Sequence, residues 1–166
     1  MRSLSTHRSR GQSIVMMAII FPFLLALVMS SLELMARWSD RASLEDSLKQ
    51  STRSAVQLLD YATLARGETA INGVSVRNSA AQFFTVNLTN ARGLASDESP
   101  ETVAGRVTWT IIPNQNGGIC RFSDGTTQTF IQPAVCAEVR PRMKGLLGWG
   151  EWQPLITAAD TLDSIK

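Results

Sequence analysis

The feature that most constrains this chain is an uncharged run at residues 13–31, nineteen positions whose centre reads IVMMAIIFPFLLALVM. As a helix it extends about 28 Å at ~1.5 Å per residue, close to the thickness of one bilayer core. A chain with such a segment either crosses a membrane once or packs the segment into a polymer of like helices. Arg2, His7, Arg8 and Arg10 precede the run, and residues 1–11 contain no acid. The positive-inside rule therefore keeps the N-terminus cytoplasmic and exports the chain beyond the run. A cleaved secretory signal fits less well, because its apolar core spans about 7–15 residues and ends at a small-residue site. The stretch VMSSL at 28–32 offers no Ala-x-Ala pattern. Pro22 removes one backbone hydrogen bond in mid-helix and predicts a kink near residues 19–21, tolerated in a membrane where neighbouring groups take up the freed carbonyl.

Beyond the run the helical pattern continues and turns amphipathic. Leu44, Leu48, Ser51, Ala55, Leu58 and Ala62 recur at alternating steps of four and three, while Glu45, Asp46, Lys49, Gln50, Arg53 and Gln57 fill the other side; this is the spacing of one helix face. Glu33 with Arg37, and Glu45 with Lys49, place an acid one turn before a base, each pair worth ~0.2–0.5 kcal/mol. Arg66 followed by Gly67 reads as a helix stop. The expected helix thus covers residues 13–66, about 80 Å.

Composition narrows the function. The 166 residues carry 16 basic and 14 acidic side chains, and setting aside Arg2, Arg8 and Arg10 leaves 13 against 14. No basic field for nucleic acid survives. The one histidine is His7 in the basic leader, which removes Ser-His and Cys-His nucleophilic catalysis and most transition-metal sites from the rest of the chain. The chain is read as no enzyme, with no cofactor and no metal. Cys120 and Cys136 lie in the exported part; in an oxidising compartment they read as one disulfide closing a loop of about 15 residues, worth about 3 kcal/mol in the chain-entropy picture. Two unpaired buried thiols are the other reading, and the spacing matches no zinc or redox motif.

The exported part reads as α+β, with a small antiparallel, β-rich domain. A second helix is expected near residues 79–87, a polar surface loop at 95–102, and a half-buried strand over 103–113 that alternates Val107, Trp109 and Ile111 with Arg106, Thr108 and Thr110. Asp124-Gly125 is a strong hairpin signal between strands at 119–123 and 126–132. Pairing about it sets Cys120 opposite Thr129, so the disulfide would tie the hairpin to the following strand, 134–142. The glycine- and aromatic-rich loop 145–152 precedes a last strand, 153–161. Trp149 and Trp152 there either form an exposed recognition patch or cover the open side of the sheet. Acids at Asp97, Glu98, Asp160 and Asp163 have no base or nucleophile near them in sequence and read as solvated. The organisation is a basic leader (1–11), a transmembrane and amphipathic helix (12–66) and a periplasmic domain (67–166).

The order Arg10-Gly11-Gln12, Pro22, the leucine-rich run, Glu33 and Arg37 resembles the N-terminus of TadE/TadG-like pseudopilins of the tight-adherence (Flp, type IVc) pilus system, over residues 8–62. The resemblance implies a pilin-like fold, an inner-membrane protein with its C-terminal domain in the periplasm, and entry into or assembly of a pilus. It also implies partners: a prepilin peptidase cutting between Gly11 and Gln12, and other pilins or pseudopilins packing on a helix marked by Met16, Pro22, Glu33 and Arg37. Many members carry a glutamate where this chain has Met16, which cannot neutralise a neighbour's buried ammonium; this favours a minor or initiating subunit over a repeating one. The competing reading is a single-span, membrane-anchored periplasmic interaction domain unrelated to pili.

Overall fold

The computed structural model describes residues 9–58, 70–89, 91–113 and 116–162. Helix α1, Ser9–Val56, has 48 residues and passes through Pro22, giving a rod of about 72 Å. Its N-terminal part stands clear of the other described residues: the large apolar side chains from Ile14 to Val28 are 45–75% exposed. The C-terminal half is docked, with Leu44, Leu48, Ser51, Thr52, Ala55 and Val56 buried.

The rod ends sooner than its sequence pattern suggests. Gln57 is in a turn and Leu58 is non-helical and exposed, while the expected stop at Arg66, and Ala62, lie outside the described residues. Ser51 Oγ donates to the Ser47 carbonyl at 2.7 Å and Thr52 Oγ1 to the Lys49 carbonyl at 2.8 Å. These bonds satisfy hydroxyls that are fully buried, and such side-chain-to-backbone competition weakens a helix near its end. The expected Glu45–Lys49 pair is replaced by Arg41 Nε donating to Glu45 Oε1 at 2.9 Å.

Helix α2, Gly73–Leu88, starts earlier than expected because Asn72 caps it, its Oδ1 accepting from the Val74 and Ser75 N–H groups at 3.2 Å. Val76, Ala80, Phe84 and Leu88 form its buried face at four-residue steps. The expected loop at 95–102 is partly helical instead. Helix α3, Pro100–Gly105, has Ser99 as its N-cap, with Pro100 in the first turn and Ser99 Oγ accepting from the Thr102 N–H at 3.1 Å. The strand expected from residue 103 therefore begins only at β1, Thr108–Ile112.

Strands β2 (Gly118–Arg121) and β3 (Thr127–Phe130) make a hairpin. Strands β4 (Ala134–Val139) and β7 (Ile156–Thr161) form an antiparallel sheet with β1 in the order β1-β4-β7. The short β5 (Met143–Lys144) and β6 (Glu151–Trp152) pair with each other. The result is a long apolar helix followed by a small antiparallel β-rich domain, the α+β architecture the sequence indicates.

The central sheet is covered on both faces. Val135, Ala137 and Val139 of β4 join Leu44, Leu48, Val76, Ala80 and Phe84 in the main core. The alternate residues Ala134 and Cys136 join Ile112, Cys120 and Phe122 under the hairpin, as the two-residue period of a strand requires. Cys120 and Cys136 are joined across this second layer, with Cα atoms 6.3 Å apart, linking β2 to β4. The hairpin register differs by one residue from expectation: Cys120 faces Gln128, and Thr129 faces Ile119. The loop holds three residues, Ser123 to Gly125, closed by Phe122 N–H to the Thr126 carbonyl and Gly125 N–H to the Phe122 carbonyl, both 3.0 Å. Gly125 at φ +85° takes the left-handed position of that bulged turn, which moves the pairing by one.

Candidate site at the membrane-proximal end

Where α1 leaves its apolar run, its first charged residue is the buried Glu33, only 5% exposed. One turn on, Arg37 Nε donates to Glu33 Oε1 at 2.7 Å. The other carboxylate oxygen, Oε2, accepts the backbone N–H of Leu147 at 2.9 Å, and Arg37 Nη2 donates to the Trp149 carbonyl at 2.6 Å. A local helix pair in sequence is thus a clasp on the distant loop at residues 145–150. Bonds to ionised groups are the strong class, and here both partners fasten backbone, so the clasp does not depend on which side chains the loop presents.

The loop is shaped for the approach. A Cβ at Gly145 would fall on the Glu33 carboxylate, so any larger residue would push that carboxylate out of its present place. Gly148 and Gly150 have φ of +69° and +82°. Gly148 N–H reaches the Gly145 carbonyl at 3.1 Å and Gly150 N–H the Gly148 carbonyl at 2.9 Å. A second close approach lies seven residues along α1, where a Cβ at Gly93 would meet the Asp40 side chain. Lys144 N–H donates to the Gly93 carbonyl at 2.7 Å, tying the two approaches together. The docked stripe of α1 therefore starts at Glu33 and runs through Arg37, Asp40, Leu44 and Leu48, polar at its membrane end and apolar beyond.

An ion-pair group braces the base of the loop. Arg142 pairs with Asp97, with Glu98 at 3.3 Å and with Glu151 at 3.8 Å, and Arg106 also pairs with Glu98, whose side chain is 2% exposed. Asp97 and Glu98 are thus structural partners, contrary to the solvated reading of that stretch. Asp160 accepts the Thr161 N–H at 2.8 Å, and Asp163 lies outside the described residues. In the β2–β3 turn the Thr126 hydroxyl and N–H bonded to Asp124 hold its carboxyl below the usual Asp range. Among the described residues no three His, Cys, Asp or Glu side chains converge on a metal-sized site.

The two loop tryptophans separate. Trp152, on β6, is half-buried against the main core and its indole N–H has no partner among the described residues. Trp149 is exposed at 55% and Leu146 at 69%, while nearby on α1 Leu34, Met35 and Trp38 are 59%, 69% and 72% exposed. Of the other positions singled out from sequence, Met16 is 58% exposed, Pro22 is exposed within α1, and Gly11 and Gln12 fall in its opening turns. Glu33 and Arg37 are the two the fold brings to one place. Sequence reasoning missed the roles of Gly145, Leu147 and Gly93; the only signal was the density of glycine in a loop that also carries large apolar residues.

No family model, curated protein or solved structure matches this chain.

Proposed function

We propose that this chain is a single-span membrane protein that holds a small disulfide-linked interaction domain rigidly at the periplasmic face of a bacterial inner membrane. The observation carrying the reading is the change in α1 at Glu33. Before it, the apolar side chains from Ile14 to Val28 are exposed and the helix is long and apolar enough to cross a membrane. After it, the same helix is core. Exposed apolar surface of that extent needs lipid or other helices around it, and the arginines before it favour a cytoplasmic N-terminus. The test is fractionation with alkaline carbonate, together with alkylation of Cys120 and Cys136 before and after reduction. Retention in the membrane pellet with thiols reactive only after reduction is expected. A carbonate-soluble chain refutes the anchor, and thiols alkylated without reduction in intact cells refute the periplasmic placement.

One observation favours a narrower reading, a minor pseudopilin of a Tad-type pilus. Glu33 and Arg37, which stand at the positions of the resemblance, weld the helix to the domain, and a subunit that leaves the bilayer needs helix and domain to move as one body. This reading requires a prepilin peptidase and pilin or pseudopilin partners. Intact mass with and without the peptidase tests it: a product starting at Gln12, lost on Gly11→Ala, supports processing, and a full-length chain in both cases refutes it.

A further inference from the structure

The loop at residues 145–150 is uncharged and presents Leu146 and Trp149 to the outside at 69% and 55% exposure; neither side chain belongs to the core clusters of the described residues. Its height relative to the apolar run is fixed by the clasp. Glu33 and Arg37 lie two and six residues past Ser31, about 3 and 9 Å of helix rise. The polar layer on each side of a bilayer core is about 5–8 Å deep. The Leu147 end of the loop is therefore held inside that layer and the Trp149 carbonyl at its outer edge, next to the level where an amphipathic indole is most at home.

We propose that this loop is a second membrane contact, seating Leu146 and Trp149 in the headgroup layer of the leaflet from which α1 emerges. This rests on the single-span reading above. Three features fit lipid as the occupant. Beside the loop's anchors, α1 itself stays apolar and exposed past the uncharged run, at Leu32, Leu34, Met35 and Trp38. Part of the loop's backbone polarity is met within the protein: the Leu147 N–H goes to Glu33, the Trp149 carbonyl to Arg37, and the Gly148 and Gly150 N–H groups to carbonyls of the loop itself, which lowers the cost of leaving water. The flanking charges, Lys144 and Glu151, sit outside the loop and are exposed, where long side chains reach back to water. With helix and loop both seated, the domain has one orientation on the bilayer and presents a fixed face away from it.

The test uses the full chain in phosphatidylcholine vesicles containing brominated phosphatidylcholine, which quenches tryptophan near the headgroup–acyl boundary. Trp38 and Trp149 are the exposed indoles at the membrane end, so Trp149→Phe should remove about half of the lipid-quenched emission, and Trp38→Phe should leave the Trp149 share in place. Trp149→Phe keeps the carbonyl that Arg37 binds, so the clasp survives the change. Equal lipid quenching with and without Trp149, or quenching of Trp149 by aqueous iodide instead, overturns the proposal. Trp149 shielded from both quenchers, with a cross-linked dimer through Leu146→Cys, also overturns it and assigns the patch to a second copy. Carbonate extraction of the same vesicles separates the two levels: a chain released into the supernatant fails the single-span reading, whereas a retained chain without Trp149 quenching fails only the loop.

Discussion

Truncating Leu48 tests the central structural claim, that the second half of α1 is core and not a free stalk. Leu48 is fully buried in the main cluster with Leu44, Val76 and Phe84. Leu48→Ala removes three carbon groups, at ~0.8 kcal/mol each about 2.4 kcal/mol of transfer free energy. The cavity term raises this, since α1 is pinned at Glu33 and backed by β4 and β7 and cannot collapse fully, so the expected cost is about 3 kcal/mol. For a domain of about 100 residues each kcal/mol shifts Tm by roughly 4–8 °C, giving a drop of roughly 12–24 °C. The assay is thermal unfolding of the full chain in detergent micelles with the disulfide intact, followed by near-UV circular dichroism. Val86→Ala, on the 67% exposed side of α2, is the control and should stay within about 0.5 kcal/mol. A Leu48→Ala shift no larger than the control would mean that the helix is not part of the folded unit, and rigid presentation of the domain would fall with it.

Three further outcomes rest on named contacts. Replacing both Cys120 and Cys136 by serine removes a link of sequence separation 16 and should cost about 3 kcal/mol of stability in denaturant titration, the value for a loop of about that length. Gly145→Ala puts a Cβ on the Glu33 carboxylate, so the Leu147 amide should lose its protection from hydrogen exchange, while Gly105→Ala, which meets open space, should leave it unchanged. Asp124 is the pH-sensitive group of the hairpin: the Thr126 hydroxyl and N–H depress its folded pKa, so its contribution is complete above the unfolded value of about 3.9 and is lost as pH falls through the folded one. Asp124→Asn should remove that part of the acid dependence of unfolding, and an unchanged acid limb would refute the assignment.

The elements with a local cause were legible in sequence. The uncharged run, the heptad-like stripe at Leu44 and Leu48, the alternation around Trp109 and the Asp124-Gly125 turn each reflect short-range periodicity, and each marks an observed element. The misses have short-range causes that compete. Ser99-Pro100 caps a helical turn where the alternation beginning at Val103 suggested strand, and the bulge at Gly125 shifted the hairpin by one residue. The candidate site was half legible. Glu33 and Arg37 stand out as an acid one turn before a base at the end of the apolar run, but their loop partners are more than a hundred residues away. Backbone atoms as partners leave no signature in residue type, save that Gly145 must be small.

The clasp also bears on how this helix could assemble. On the proposed pseudopilin reading, the position where an acid would meet a neighbour's amine is the apolar Met16. The acid that α1 does bury, Glu33, has both oxygens engaged within its own chain, by Arg37 and by Leu147. Recruiting it to a neighbour's ammonium would leave a half-buried guanidinium edge and an amide unpaired, a cost that an intermolecular pair must first offset. The apolar side chains from Ile14 to Val28 remain as the surface for helix-to-helix contact. An assembly built on this chain should therefore depend on apolar shape along that segment. Glu33→Gln keeps an acceptor for Leu147 but weakens the hold on Arg37, so it should loosen the 145–150 loop while leaving any helix-mediated association in the membrane intact. Loss of association in Glu33→Gln, measured by cross-linking within the span, would show instead that the acid reaches a neighbour.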